Sequence, residues 1–363
     1  MTPMGRAVAA VSSLHFAVSL WVANAVSGPL LAADDVAYLS MARTLAGEGA
    51  SSLGSQPPYG VLYPALLAPG WLVGLDEQGM LAYARVVNAA FGAALVPVLY
   101  LLARRLLRAE RSWALVAATI GASLPALMLT GSIAWTERLL PLLLAGAVLA
   151  LVAAYQRGSG AAAATAVGLG VAAFAAHPRL AGASVVVVAA AAWCRWRSGD
   201  RRGGFIAVAA GATGAVVAES ARRALADAAF GDLGAYGVRD LSSRRGIDEA
   251  SDMVVHAMGA TAYLVLATAG LAVLGVVVLA RERPLGWVPL VLLGAVTVSA
   301  GWFLTGIERA DAWLYGRYVE VVAPMLVAAG VVGLRRLRWT ESVPLLAASP
   351  VAAGLVAGWV GPG

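Results

Sequence analysis

Apolar runs long enough to cross a bilayer recur along nearly the whole chain, and short clusters of arginine separate them. A helix needs about 20 mostly apolar residues to span the hydrocarbon core. The residues are 60% hydrophobic and only 13% charged, where a soluble domain carries about one-quarter charged residues. The fold class that follows is an all-α, polytopic transmembrane bundle. About eleven helices are predicted, over 7–31, 80–103, 112–130, 139–156, 160–176, 180–194, 204–222, 257–280, 285–305, 318–334 and 342–360. Pro178 breaks the chain between the fifth and sixth.

Arginine placement sets the expected orientation. Every one of the 26 basic residues is Arg, a composition that fits a GC-rich bacterial genome. With the N-terminus in the cytoplasm, the inner turns receive Arg6, the group Arg104, Arg105, Arg108 and Arg111, then Arg157. They also receive Arg195, Arg197, Arg201 and Arg202, then Arg281 and Arg283, then Arg335, Arg336 and Arg338. The inner acids are four, Glu110, Asp200, Glu282 and Glu341, as the positive-inside rule expects. The same basic bias explains the formal net charge of +6 without nucleic acid, because no basic stretch interleaves the aromatics that a single-strand groove needs. The expected location is the plasma membrane, with the carboxylates and isolated arginines of the outer side marking where chemistry happens.

Residues 1–363 read as one transmembrane domain with two long outer segments. In the first, 32–79, Val36 to Gly47 is predicted as an interfacial helix, with Tyr38, Met41 and Leu45 on one face and Ser40 and Arg43 opposite. A breaker-rich loop with Pro57 and Pro58 follows, then an apolar stretch, 61–75, too short and proline-interrupted to span. The second segment, 223–256, mixes Asp227, Asp232, Asp240, Asp248, Glu249 and Asp252 with Arg239, Arg244 and Arg245, and is expected to be a mobile lid. The single Cys194 permits no internal disulfide.

Asp34 and Asp35 stand directly after the first apolar run. Adjacent carboxylates at the mouth of a transmembrane helix are costly to hold near lipid, which makes them a functional-site candidate. The residues that follow build a longer pattern: Tyr38, Ala42 and Gly47, then Pro57-Pro58-Tyr59-Gly60 and Tyr63-Pro64. Thr136-Glu137, His177-Pro178-Arg179 and Gly316-Arg317-Tyr318 leading into Pro324 complete it. In this order the chain resembles the GT-C superfamily of integral-membrane glycosyltransferases, which includes protein O-mannosyltransferases and lipid A aminoarabinose transferases. Two departures stand out. The pair is Asp-Asp where that family more often carries Asp-Glu, and the usual soluble C-terminal domain is not expected.

The resemblance implies an inverting transfer of a sugar from a polyprenyl-phosphate donor to an extracytoplasmic acceptor, a cell-envelope glycan, lipid or protein, among membrane lipids. An acceptor hydroxyl needs a base, and a carboxylate at low dielectric can serve. Asp34 is the first candidate, with Asp35 as its alternate or its orienting partner. The departing phosphate needs fixed cationic donors, for which Arg317 comes first, then Arg179 with His177, then Arg85 and Arg138. Tyr38, Tyr59, Glu137 and Tyr318 are expected to line the substrate pocket. A divalent metal is the one cofactor left open, with Asp35 and His256 as its candidate ligands. Local alternatives exist for several of these: Arg138 paired with Glu137, Arg317 snorkelling at a helix end, and the outer Trp71, Trp135, Trp302 and Trp313 as belt anchors. The rival functions are a transporter or flippase for a lipid-linked substrate, and a catalytically silent scaffold subunit.

Overall fold

The computed structural model describes residues 2–25, 33–49, 59–230, 247–282, 284–305 and 316–360. Its helices are α1 (Pro3–Ala25), α2 (Ala33–Leu45), α3 (Leu62–Leu72), α4 (Glu77–Arg105), α5 (Arg111–Ala122), α6 (Pro125–Thr130), α7 (Leu139–Arg157) and α8 (Gly160–Ala176). They continue as α9 (Ala181–Arg197), α10 (Arg201–Phe230), α11 (Ile247–Ala267), α12 (Leu271–Arg281), α13 (Trp287–Leu304), α14 (Ala323–Arg336) and α15 (Trp339–Val360). Among the described residues three 3-10 turns, Thr136–Arg138, Pro178–Leu180 and Gly316–Val321, sit at helix ends. Eight helical segments among the described residues are long and apolar enough to cross a membrane, and α8 and α12 are shorter apolar helices. The fold is an all-α polytopic bundle.

The bundle zigzags: α1 packs on α4, α4 on α5 and α7, α7 on α8, α8 on α9, and α9 on α10 and α13. α12 and α14 form another close pair. A Cβ at Gly275 would stand 1.9 Å from the Leu326 carbonyl, and one at Gly330 would stand 2.1 Å from that of Leu271. Small residues at such crossings let backbones approach where lipid supplies no hydrophobic drive.

Several predicted spans are corrected. The run 257–280 is two helices, because Ala269 (φ 47°) and Gly270 (φ 79°) adopt left-handed conformations that stop α11. Hydropathy is blind to that break, since the residues on both sides are apolar. The run 112–130 is likewise split into α5 and α6. Pro125 opens α6, and Leu124 before it is extended (ψ 131°), as a residue preceding proline prefers. The run 318–334 begins as the 3-10 turn Gly316–Val321, so Tyr318 precedes α14. The segment 223–256 is largely helical where described: α10 continues to Phe230, and its Leu225 and Ala229 pack with Met41 of α2. The rest of the segment expected to be a lid, residues 231–246, lies outside the described residues, as do Pro57, Pro58 and Trp313.

α2 and α3 fill the predicted places between α1 and α4. At 11 residues, and about 1.5 Å of rise per residue, α3 is too short to span. The expected amphipathic face of α2 is half right. Tyr38 and Met41 are fully buried, yet Leu45 is exposed and Ser40, from the opposite face, is buried. The cause is a second neighbour: α2 touches both α3 and α10, so more than one face is covered.

The arginine-rich turns collect at one end of the bundle. Arg336 reaches Glu282 at 2.6 Å, Arg335 reaches Glu110 at 3.0 Å and Arg281 reaches Glu341 at 3.4 Å, joining the ends of α12 and α14 to the starts of α5 and α15. The opposite ends, where α8 stops and α7, α9 and α14 start, carry the 3-10 turns.

Candidate active site

Each 3-10 turn delivers one charged residue to a shared point. Glu137, 1% exposed, leaves the turn before α7, Arg179 leaves the turn before α9, and Arg317 leaves the turn before α14. Arg179 Nη2 donates to Glu137 Oε1 at 3.0 Å, and Arg317 Nε donates to the same oxygen. Arg317 Nη1 also donates to Asp34 Oδ2 at 2.5 Å. The four charges therefore form one chain, Arg179–Glu137–Arg317–Asp34. Buried charges survive only when paired in this way. The guanidinium of Arg317 lies 3.9 Å from the Trp135 ring centroid, and that of Arg179 lies 4.8 Å from the Tyr318 ring. Both plates are thus supported by cation–π contact.

The two aspartates separate. Consecutive helical residues point about 100° apart, so Asp34 faces Arg317 while Asp35 is buried at 1% exposure, near enough to Tyr63 to act on its phenol. Tyr59 donates its hydroxyl to Asp34 Oδ1 at 2.5 Å. Burial, then the neighbouring Asp34, push the Tyr59 phenol above its usual range, so it stays a donor. The Tyr59 ring lies 5.3 Å from Tyr38 and 5.2 Å from His177, and Tyr38 lies 5.3 Å from Tyr63. Gly60 makes this placement possible. A Cβ there would stand 2.1 Å from the Ala175 carbonyl oxygen, so only glycine lets the loop lie on the end of α8. His177 Nδ1 accepts from the Arg179 backbone N–H at 3.2 Å and caps the turn that aims Arg179. Burial, then Arg179 and Arg317, hold its pKa well below the ordinary 6.5.

Asp34, Arg317, Arg179, His177, Tyr38, Tyr59, Glu137 and Tyr318 are therefore brought together. Arg85 and Arg138 are not. Successive residues of a 3-10 turn point about 120° apart, so Arg138 turns away from Glu137 and no local pair forms. Its Nη2 meets Ser19 Oγ at 3.2 Å and Met128 Sδ at 3.3 Å, beside His15 at the α1 interface. Arg85 donates to the Ser132 carbonyl at 3.2 Å and to Asn24 Oδ1 at 3.4 Å. Together with Asn88, which donates to the Ile133 carbonyl at 2.7 Å, it pins the approach to Glu137 from α4.

The carboxylate expected to hold a divalent metal, Asp35, is buried on α2. Both Asp34 oxygens are engaged, one of them by a cation. His256 is buried on α11, and among the described residues no three His, Cys, Asp or Glu side chains converge on a point. Sequence reasoning missed Trp135 and Trp71 as arginine platforms, having placed both in the aromatic belt: Arg43 lies 5.5 Å from the Trp71 ring. It also assigned no role to Asn88 or Tyr263, and used Tyr63 only within the resemblance. For Trp135 a signal existed, adjacency to Thr136-Glu137.

Against solved structures, the chain matches the oligosaccharyltransferase of Archaeoglobus fulgidus in its apo form with a TM-score of 0.52 at 12% identity. The match covers 98% of this chain and 56% of that one. It matches archaeal oligosaccharyltransferase AglB of the same organism, in complex with an inhibitory peptide and a dolichol-phosphate, with a TM-score of 0.51 at 12% identity, again over 98% and 56%. The chain shares its fold with these oligosaccharyltransferases. It spans a little over half the length of these proteins, and the likeness is one of architecture. No protein-family model matches the chain, and no curated protein matches it in sequence.

Proposed function

We propose that the chain is an inverting glycosyltransferase that moves a sugar from a polyprenyl-phosphate donor to an acceptor hydroxyl at the extracytoplasmic face of a bacterial plasma membrane. The observation that carries this is Arg317 bridging Asp34 and Glu137. A base candidate and a phosphate-binding cation occupy adjacent positions, as a displacement at an anomeric carbon requires. The dolichol-phosphate in one structure of the same fold supports a lipid-phosphate carrier.

Charge balance narrows the donor. Glu137 offsets one of the two guanidiniums permanently, and Asp34 offsets the other. An entering phosphodiester carries one negative charge, so it replaces Asp34 on Arg317 without leaving a surplus. Asp34 is then free to take the acceptor proton. The acceptor oxygen bonds to the anomeric carbon as the carbon–oxygen bond to phosphate breaks, and the electron pair leaves on polyprenyl phosphate beside Arg317 and Arg179. Burial of Asp35 favours Asp34 as the base. The arginine-rich turns at the opposite end support an outward-facing site.

The test is transfer by purified protein from a panel of polyprenyl-phosphate sugars to cell-envelope glycans. Wild type is expected to turn over at least one donor, and the Asp34→Asn/Asp35→Asn double variant none. Near-normal transfer by the double variant would overturn the mechanism.

A further inference from the structure

The turn Gly316–Val321 carries a second buried carboxyl. Glu320 stands three residues after Arg317, and in 3-10 geometry such residues eclipse, so the two share one face. Glu320 is 8% exposed and accepts a hydrogen bond from the Tyr263 hydroxyl of α11 at 2.5 Å. The Tyr263 ring also abuts the start of the turn: a Cβ at Gly316 would stand 1.7 Å from its Cε1. One side chain of α11 thus holds both the backbone before Arg317 and the carboxyl after it.

The groups acting on Glu320 come from four elements. They are Tyr263 of α11, Glu137 before α7, Arg179 before α9 and Arg317 of its own turn. α11 also carries buried His256, two turns before Tyr263, α13 contributes no titratable side chain, and the arginines of α7 and α14 lie at their far ends. Burial, aided by Glu137, lifts the Glu320 carboxyl above its ordinary range against the pull of Tyr263 and the two guanidiniums.

We propose that Tyr263 and Glu320 are positioning residues for donor recognition: Tyr263 fixes the turn that presents Arg317, and Glu320, held by Tyr263 on the same face of that turn, sets how much of the charge of Arg179 and Arg317 is left to the donor phosphate. This rests on the assignment of those arginines to the phosphate. An ionised Glu320 adds a negative charge beside them and competes with the donor. Affinity therefore falls as pH rises through the Glu320 pKa.

The probe is polyprenyl methyl phosphate, a phosphodiester whose single charge is constant between about pH 5.5 and 8.5. Its binding to the purified protein is measured across that range, so no transfer step enters the readout. Wild type should lose roughly tenfold in affinity toward high pH, the scale of one added charge at partly screened range. Glu320→Gln should keep the low-pH affinity throughout. Tyr263→Phe should bind more weakly at every pH, with its fall displaced upward because a bond favouring the ionised carboxyl is gone. If Glu320→Gln does not fold, the Tyr263→Phe profile decides alone. Arg317→Ala separates the two levels of the argument. Undiminished binding by Arg317→Ala would remove the phosphate site and this inference with it. Weakened binding there, with an unchanged pH profile in Glu320→Gln or wild-type binding by Tyr263→Phe, would overturn the positioning role alone.

Discussion

Arg317 and Asp34 lie 283 positions apart in the chain, and Arg317 Nη1 stands 2.5 Å from Asp34 Oδ2. With one oxygen on a guanidinium and the other on a phenol, the Asp34 carboxylate cannot receive an acceptor hydroxyl until one of them leaves. Under the proposed function, donor phosphate is the species that takes Arg317 away, and activation of the acceptor is tied to occupancy by the donor.

That relationship makes an unusual prediction for Asp34→Asn. Turnover should fall by roughly a hundredfold or more, since proton acceptance is lost. Donor affinity should rise, because phosphate no longer displaces a carboxylate from Arg317. Parallel measurement of the donor dissociation constant and single-turnover rate checks both. A weaker donor complex would show that Asp34 and phosphate do not compete.

Arg138 should prove dispensable for the chemistry. It is 2% exposed, and among the described residues its Nε and Nη1 have no hydrogen-bond partner. Replacing a buried, poorly compensated charge with an apolar side chain of similar size is often neutral or stabilising. Arg138→Met should keep transfer activity and melt no lower than wild type in detergent. Arg179→Met should lower both, because it strips a partner from buried Glu137.

Gly60→Ala should disable the site from a distance. The added Cβ meets the Ala175 carbonyl and, at 2.3 Å, the Ala176 backbone, neither of which can swing aside. The loop must lift and carry Tyr59 off Asp34. A displacement of this kind should cost roughly tenfold or more in turnover. Gly168→Ala, where nothing lies within 4 Å of the new Cβ, serves as the control and should match wild type.

His177 should give the folded protein an acid-sensitive slope. The unfolded chain protonates this imidazole near 6.5, whereas the folded protein does so only well below that. Between those two values the unfolded state binds more protons, so stability falls as pH is lowered. His177→Asn retains an acceptor for the Arg179 N–H without titrating. Melting curves from about pH 7.5 to 5 should show a shallower decline in this variant. Identical slopes would assign the acid sensitivity elsewhere.

Much of the site was legible in the chain because its parts are local. Asp34 follows the first apolar run directly, and Glu137, Arg179 and Arg317 each occupy a short polar turn between apolar runs. A charge there is conspicuous against its surroundings. The partners were not legible. Nothing in the linear order places Trp135 beneath Arg317, joins Tyr263 to Glu320 or buries Asp35 while Asp34 meets a cation.

The same division runs through the fold. Whether a segment can cross a bilayer is a sum over some 20 neighbouring residues, so the helices of the bundle and the short α2 and α3 were readable from sequence alone. α8, predicted over 160–176, forms over Gly160–Ala176. Where a helix breaks, as at Ala269 and Gly270, depends on backbone angles that apolar composition does not report. Which way a charge points, as with Glu137 and Arg138, depends on which helix ends meet. Hydrophobicity adds along the chain, whereas an ion pair exists only at contact distance, and contact between residues 34, 137, 179 and 317 is a property of the assembled bundle.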